Sequence, residues 1–118
     1  MTYEAFNTFC ANLPAAAYVM QWGGSHVWKV GGKVFAIGGW ECGETAITFK
    51  VSAISFEMLS EQPGLRPAPY LASRGLKWIQ HYKTPGLSDA DLQTYLTDSY
   101  GMVVHGLTKK KRAELGLS

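Results

Sequence analysis

Between residues 18 and 51 glycine interrupts the chain repeatedly, and each break separates short runs rich in β-branched and aromatic side chains. The runs are 18–22, 26–30, 34–37 and 45–51; the breaks are Gly23-Gly24, Gly31-Gly32 and the stretch 38–44. Runs of this length suit strands rather than helices. Val30-Gly31-Gly32-Lys33-Val34 reads as a two-residue hairpin, because paired glycines supply the positive φ that such turns need. The pattern predicts an antiparallel meander of about four strands. A sheet of that kind must bury one face against something else.

The flanking sequence supplies the cover. Phe6, Phe9, Cys10 and Leu13 recur at i, i+3, i+4 and i+7, the signature of one buried helix face. Thr2 stands where a cap belongs, and Pro14 ends the segment. On that face Cys10 is a small buried hydrophobe rather than a nucleophile. Ser52 caps a second, shorter helix running to about Ser60, with Phe56 and Leu59 turned inwards. Residues 77–82 read as a further strand, closed by Pro85-Gly86. Ser88 and Asp91 open the last long helix, in which Leu92, Tyr95, Leu96, Ser99, Val103 and Leu107 keep helical spacing. Gly101 and Gly106 weaken it by roughly 1 kcal/mol each relative to alanine. Thr108 caps a final turn that carries Lys109, Lys110, Lys111 and Arg112. The expected fold is α+β in the order α-β-β-β-β-α-β-α. It has a single antiparallel sheet of about five strands with helices on one face, and the other face is open.

The 118 residues fit one domain, 1–118, long enough to bury a core without metal or disulfide staples. Two cysteines, Cys10 and Cys42, make no disulfide framework. The first residues show no basic and apolar leader, and no apolar run reaches bilayer-spanning length. A reduced cytoplasmic protein with no membrane partner is the expectation. Net charge is only +2, but four of the positive charges stand together at 109–112. A second cationic segment, 66–78, holds Arg66, Arg74 and Lys77 around Pro67, Pro69, Tyr70 and Trp78. Its prolines keep the backbone extended and stiff, which suits a surface that presents itself to a partner.

Several stretches together resemble the MmcQ/YjbR family. They are Val27-Trp28-Lys29-Val30-Gly31-Gly32-Lys33-Val34-Phe35-Ala36, Phe49-Lys50, Arg66-Pro67-Ala68-Pro69-Tyr70-Leu71, Trp78 and Ser99-Tyr100. The resemblance covers nearly the whole chain. It implies a small bacterial domain of the CyaY-like, frataxin-like fold, a class described as DNA-binding by likeness to a "double wing" domain whose concave sheet meets the duplex. Frataxin-like iron binding does not carry over, because that chemistry uses a crowded acidic ridge on the first helix and this one holds only Glu4.

Read from the residues, the candidate chemistry is binding rather than catalysis. If Trp28 and Val30 face the helices, Lys29 faces the open side; if Ile47, Phe49 and Val51 do, Thr48 and Lys50 face out. With Arg66, Arg74 and Lys77 at the margins, these cations form a basic saddle for phosphates, with Tyr70 available to stack on bases. Lys109, Lys110, Lys111 and Arg112 extend it. The competing reading makes these scattered surface charges, with Arg66 fastening its own loop and Trp78 a core aromatic. A protein-interaction module anchored by the 66–70 loop is the alternative function. Gly31-Gly32-Lys33 is no phosphate loop, because Val27 and Val34 occupy the positions of the first glycine and the final hydroxyl. His26, His81, His105 and Cys42 lack metal-ligand spacing, so neither metal nor cofactor is expected. Cys42, between Glu41 and Glu44, is a poor nucleophile, because neighbouring carboxylates disfavour its thiolate. No enzymatic activity is expected.

Overall fold

The computed structural model describes residues 1–40 and 45–117, so the readings of Glu41, Cys42 and Glu44 lie outside the described residues. The elements are α1 (Tyr3–Ala11), β1 (Ala17–Gln21), β2 (Ser25–Val30), β3 (Lys33–Gly38), β4 (Ile47–Lys50), α2 (Ala53–Ser60), β5 (Leu65–Pro67), a 3₁₀ turn (Ala72–Arg74), β6 (Trp78–His81), α3 (Asp89–His105) and α4 (Lys109–Glu114). All the strands pair antiparallel in one open sheet of order β1-β2-β3-β4-β6-β5. The α+β architecture is the expected one. There are six strands rather than about five, because the proline segment contributes β5. Pro67 cannot donate to a ladder, and the chain uses it where that costs least, on an edge.

The helix ends follow the sequence closely. Thr2, Ser52, Ser88 and Thr108 each accept, through the side chain, a hydrogen bond from the backbone N–H three residues on. These caps satisfy donors that a helix start leaves unpaired. α1 contacts β2, α3 crosses β2, β3 and β4, and α2 contacts β5 and β6. Phe6, Cys10, Leu59, Leu92, Leu96 and Val103 thereby meet Trp28, Val30, Phe35, Ile47, Phe49 and Ile79 in the main core. Burial pushes the Cys10 thiol up to about 12, which leaves it protonated and inert, as its place on the helix face predicts.

Two irregularities shape the sheet. The β2–β3 register shifts between Trp28 and Lys29, so Trp28 faces Ala36 while Lys29 faces Val34. The extra residue, Phe35, joins the main core, edge-on to Tyr100 at 5.4 Å between ring centroids. The β3–β4 ladder then stops at Ala36 and Phe49. Beyond it the two strands are bridged from outside: the Ser99 hydroxyl donates to the Phe35 carbonyl at 2.6 Å and accepts from the Lys50 N–H at 2.9 Å. Ser99 is completely buried. One α3 side chain thus satisfies two backbone groups that no strand reaches.

Replacing Ser99 with alanine strands both backbone groups out of contact with water. The expected cost is about 1–3 kcal/mol, read as a lower urea midpoint with an unchanged m-value. A loss under about 0.5 kcal/mol would mean that the strands close the gap themselves.

Candidate functional site

The second face of the sheet, away from the helices, was the expected contact surface. Its centre is not bare. Val27, Ile37, Ala68 and Trp78 form a second buried cluster, packed against Val19, Val34, Trp40 and Leu71. Thr48, expected to face outwards, does stand on this side of the sheet, yet it is fully buried. Segment 68–71 and Trp40 supply the cover. Trp78 is therefore the core aromatic of the structural reading.

A polar hub lies within this cover. Gln80 on β6 is fully buried and pairs across the sheet with Thr48 and Arg66. Its carbonyl accepts from Arg66 Nε at 2.9 Å and Nη2 at 2.7 Å. Its amide donates to Thr48 Oγ1 at 3.2 Å and to the Trp40 carbonyl. The Arg66 guanidinium also stacks 4.5 Å above the Tyr82 ring. Arg66, expected as a phosphate contact, is thus engaged in fastening β5 and the loop above it. Its planar fork suits that task, since two of its N–H groups converge on one oxygen.

Beside the hub runs an aromatic row that the sequence reading did not assemble. Trp22 and Trp40 meet edge to face at 5.4 Å, and Trp40 and Tyr70 at 6.4 Å. The outer two rings are largely exposed, Trp22 by 51% and Tyr70 by 64%. Both hold left-handed backbone, at φ 50° and 65°. That conformation is costly for a residue with a Cβ and persists only where the surroundings enforce it. At Tyr70 they do: Trp40 Nε1 donates to the Pro69 carbonyl at 2.9 Å, and the Ser73 hydroxyl donates to the Tyr70 carbonyl at 2.8 Å. The available sequence signal for Trp22 was a bulky aromatic directly before Gly23-Gly24, where a turn has no packing use for it.

The remaining predicted cations go to separate places. Lys50 stands opposite Trp78 at the end of β4 and also borders a groove of about 410 Å³ between α2 and α3, with Tyr95, Asp98 and His105. Lys77 reaches the α2 side, its ammonium 4.9 Å from the Phe56 ring centre. Arg74 is exposed at the end of the 3₁₀ turn. Lys29 lies next to the bulge on the second face, paired with Ala17 and Val34. The 109–112 cluster forms α4, with its three lysines exposed. What brings α4 to the sheet is Leu107. A Cβ on Gly31, which sits at φ 60°, would lie 2.7 Å from Leu107 Cδ1, so this leucine seats directly on the β2–β3 turn. Lys33, exposed at the same turn and missed as a candidate, thus lies with Lys29 at the end of the β2–β3 hairpin on which Leu107 seats.

Two of the three histidines sit within the packed structure. His26 Nδ1 lies 2.8 Å from Tyr18 Oη and 3.4 Å from Asn7 Nδ2. His81 is held below the usual imidazole range, chiefly by burial and then by the N-terminal ammonium. Gly86, at φ 52°, leaves room for that ring, since a Cβ there would meet Nε2 at 2.2 Å. Among the described residues no group of three His, Cys, Asp or Glu side chains is placed to hold a metal ion, and no helix is long and apolar enough to cross a membrane.

Comparison with known proteins bears on the family and the fold. Residues 11–102 match the YjbR family. A crystal structure of the Deinococcus radiodurans protein DR2400, assigned to the domain family DUF419, superposes with a TM-score of 0.83 at 24% identity, covering 99% of this chain and 89% of that one. A Pseudomonas syringae protein of known structure superposes with a TM-score of 0.68 at 17% identity, covering 86% of this chain and 98% of that one. No curated protein matches the chain.

The hub gives the site a test of its own. Gln80→Leu is close in volume and removes every hydrogen bond that Gln80 makes, those to the Trp40 carbonyl and the Arg66 fork included. It is expected to destabilise the fold by about 1–3 kcal/mol and to change the tryptophan emission of the folded state, as Trp40 and Trp78 gain solvent. Unchanged emission and stability would show that apolar cover alone holds the loop.

Proposed function

This chain belongs to the YjbR family, and on that premise we propose that it is a non-enzymatic module that binds duplex DNA weakly, through its basic end rather than through the centre of the second sheet face. The observation that carries this reading is the seating of Leu107 on Gly31, which sets α4 beside the β2–β3 turn. Lys109, Lys110 and Lys111 then share one end of the molecule with Lys33 and Lys29. Helix stability does not account for Lys109 and Lys110, which stand at the start of α4, where no acid accompanies them and the helix dipole disfavours positive charge; Lys111 and Arg112 fall in its last turn. Cations kept at a locally unfavourable position and exposed to solvent suit a polyanion. Arg66 contributes indirectly, by holding the second face rigid. Lys50, Arg74 and Lys77 lie outside this cluster and take a lesser part.

A second reading has its own support. Tyr70 projects from a stiff loop, 64% exposed and held in left-handed backbone, beside Trp40 and Trp22. Pre-ordered aromatic side chains of this kind anchor protein interfaces. On this reading the 66–70 loop and the aromatic row meet a protein partner.

Two measurements separate the readings. Titration of duplex DNA across a salt series is expected to give a linear log–log plot that loses roughly 3 to 4 units of slope when Lys109, Lys110, Lys111 and Arg112 all become glutamine, since each phosphate contact contributes about 0.9. The loss of affinity is expected to be equal for every DNA sequence. No binding at low ionic strength, or a slope indifferent to the four substitutions, would overturn the DNA reading. In the second measurement, Tyr70→Ala is expected to weaken a protein partner by more than 1 kcal/mol while the four glutamines leave it bound. The reverse pattern would count against the loop as an anchor.

A further inference from the structure

The two edges of the sheet are treated differently. β5 is a three-residue strand that contains Arg66 and Pro67 and lies under α2. Short length, a charge, a proline and a covering helix are the ordinary means of keeping an edge from pairing with another chain. β1 has none of them. It is five residues long, Ala17-Tyr18-Val19-Met20-Gln21, and pairs in unbroken register with β2 alone among the described strands. No lysine, arginine, aspartate or glutamate occurs between Glu4 and Lys29. Ala17, Tyr18 and Met20 are exposed, Met20 by 58%. A neutral, regular and apolar edge of this length is a template for strand addition.

We propose that β1 is a homodimer interface, at which β1 of a second copy adds antiparallel and joins the two sheets into one. The sequence of the strand identifies the occupant. Overlap of all five residues about a two-fold axis places Val19 opposite Val19, Tyr18 opposite Met20 and Ala17 opposite Gln21. Each pair is compatible: the central one is β-branched, the second sets a thioether against an aromatic ring, and no pair sets like charges together. The neutral approach and turn on either side of β1 add no repulsion. An isologous two-fold contact needs only this one patch, repeated on both copies. The contact is small, so the dimer is reversible and depends on concentration.

Sedimentation equilibrium from about 1 μM to about 1 mM is expected to show the average mass rise from 13.0 kDa towards twice that value. Over the same range, hydrogen exchange is expected to slow at β1 amides and nowhere else in the sheet. Met20→Lys lies at an exposed position, so the fold tolerates it, and it is expected to raise the dissociation constant at least about tenfold. With Cys42 replaced by serine, Val19→Cys is expected to form an intermolecular disulfide on mild oxidation that Cys42→Ser alone does not form. A monomer mass at every concentration overturns the proposal. So does a dimer that Met20→Lys leaves intact and whose β1 amides exchange as fast as in the monomer, because its copies then meet elsewhere.

Discussion

The buried hydroxyl of Ser99 joins the two layers of this protein. α3 covers the middle of the sheet, and at that point β3 and β4 have ceased to pair. Without a partner the Phe35 carbonyl and the Lys50 N–H would sit in the core unsatisfied. Ser99 answers both, and so converts the end of a ladder into an attachment point for the longest helix. The rest follows from the position this gives α3. Leu92, Leu96 and Val103 close the main core, and just past the end of the helix Leu107 meets the β2–β3 turn. The basic helix α4 is thereby delivered to the end of the sheet.

On the opposite face, burial changes what charged residues do. β4 and β6 lie in the interior of the sheet, and segment 68–71 with Trp40 covers their outer side. A polar side chain there must find partners within the protein. Gln80 does so by contacting Thr48, the Trp40 carbonyl and Arg66 together. The cost of burying an amide is met by a connected network, and the network fixes the loop that carries Tyr70. An arginine that reads as a ligand contact in sequence is a brace in the fold. Trp40, held by the same network through its carbonyl, donates in turn to the Pro69 carbonyl beside the left-handed Tyr70. The Tyr70 turn is thus ordered by contacts within the fold itself.

Much of the architecture was legible from local rules. Glycine pairs marked the hairpin turns, and four hydroxyl residues marked the four helix starts. Helical spacing found the buried faces of α1 and α3, including Cys10 and Ser99. β5 escaped because proline announces extended chain without saying whether it pairs, and pairing with β6 is a long-range fact. Thr48 was assigned to the correct side but not to the interior, because alternation gives the face and not what covers it. The candidate site was legible only as residue types. Lys29, Lys50, Arg66, Arg74 and Lys77 look alike in sequence, and the fold sends them to different neighbours.

The sequence by itself determined the elements other than β5, their caps, the meander and the inward-facing set. These depend on dihedral preferences and on periodicity within a few residues. Tertiary structure alone decided which face was covered, which arginine was engaged, where α4 came to rest and that Trp22, Trp40 and Tyr70 form one row. Those outcomes depend on contacts between residues tens of positions apart, and such contacts exist only once the chain has closed on itself.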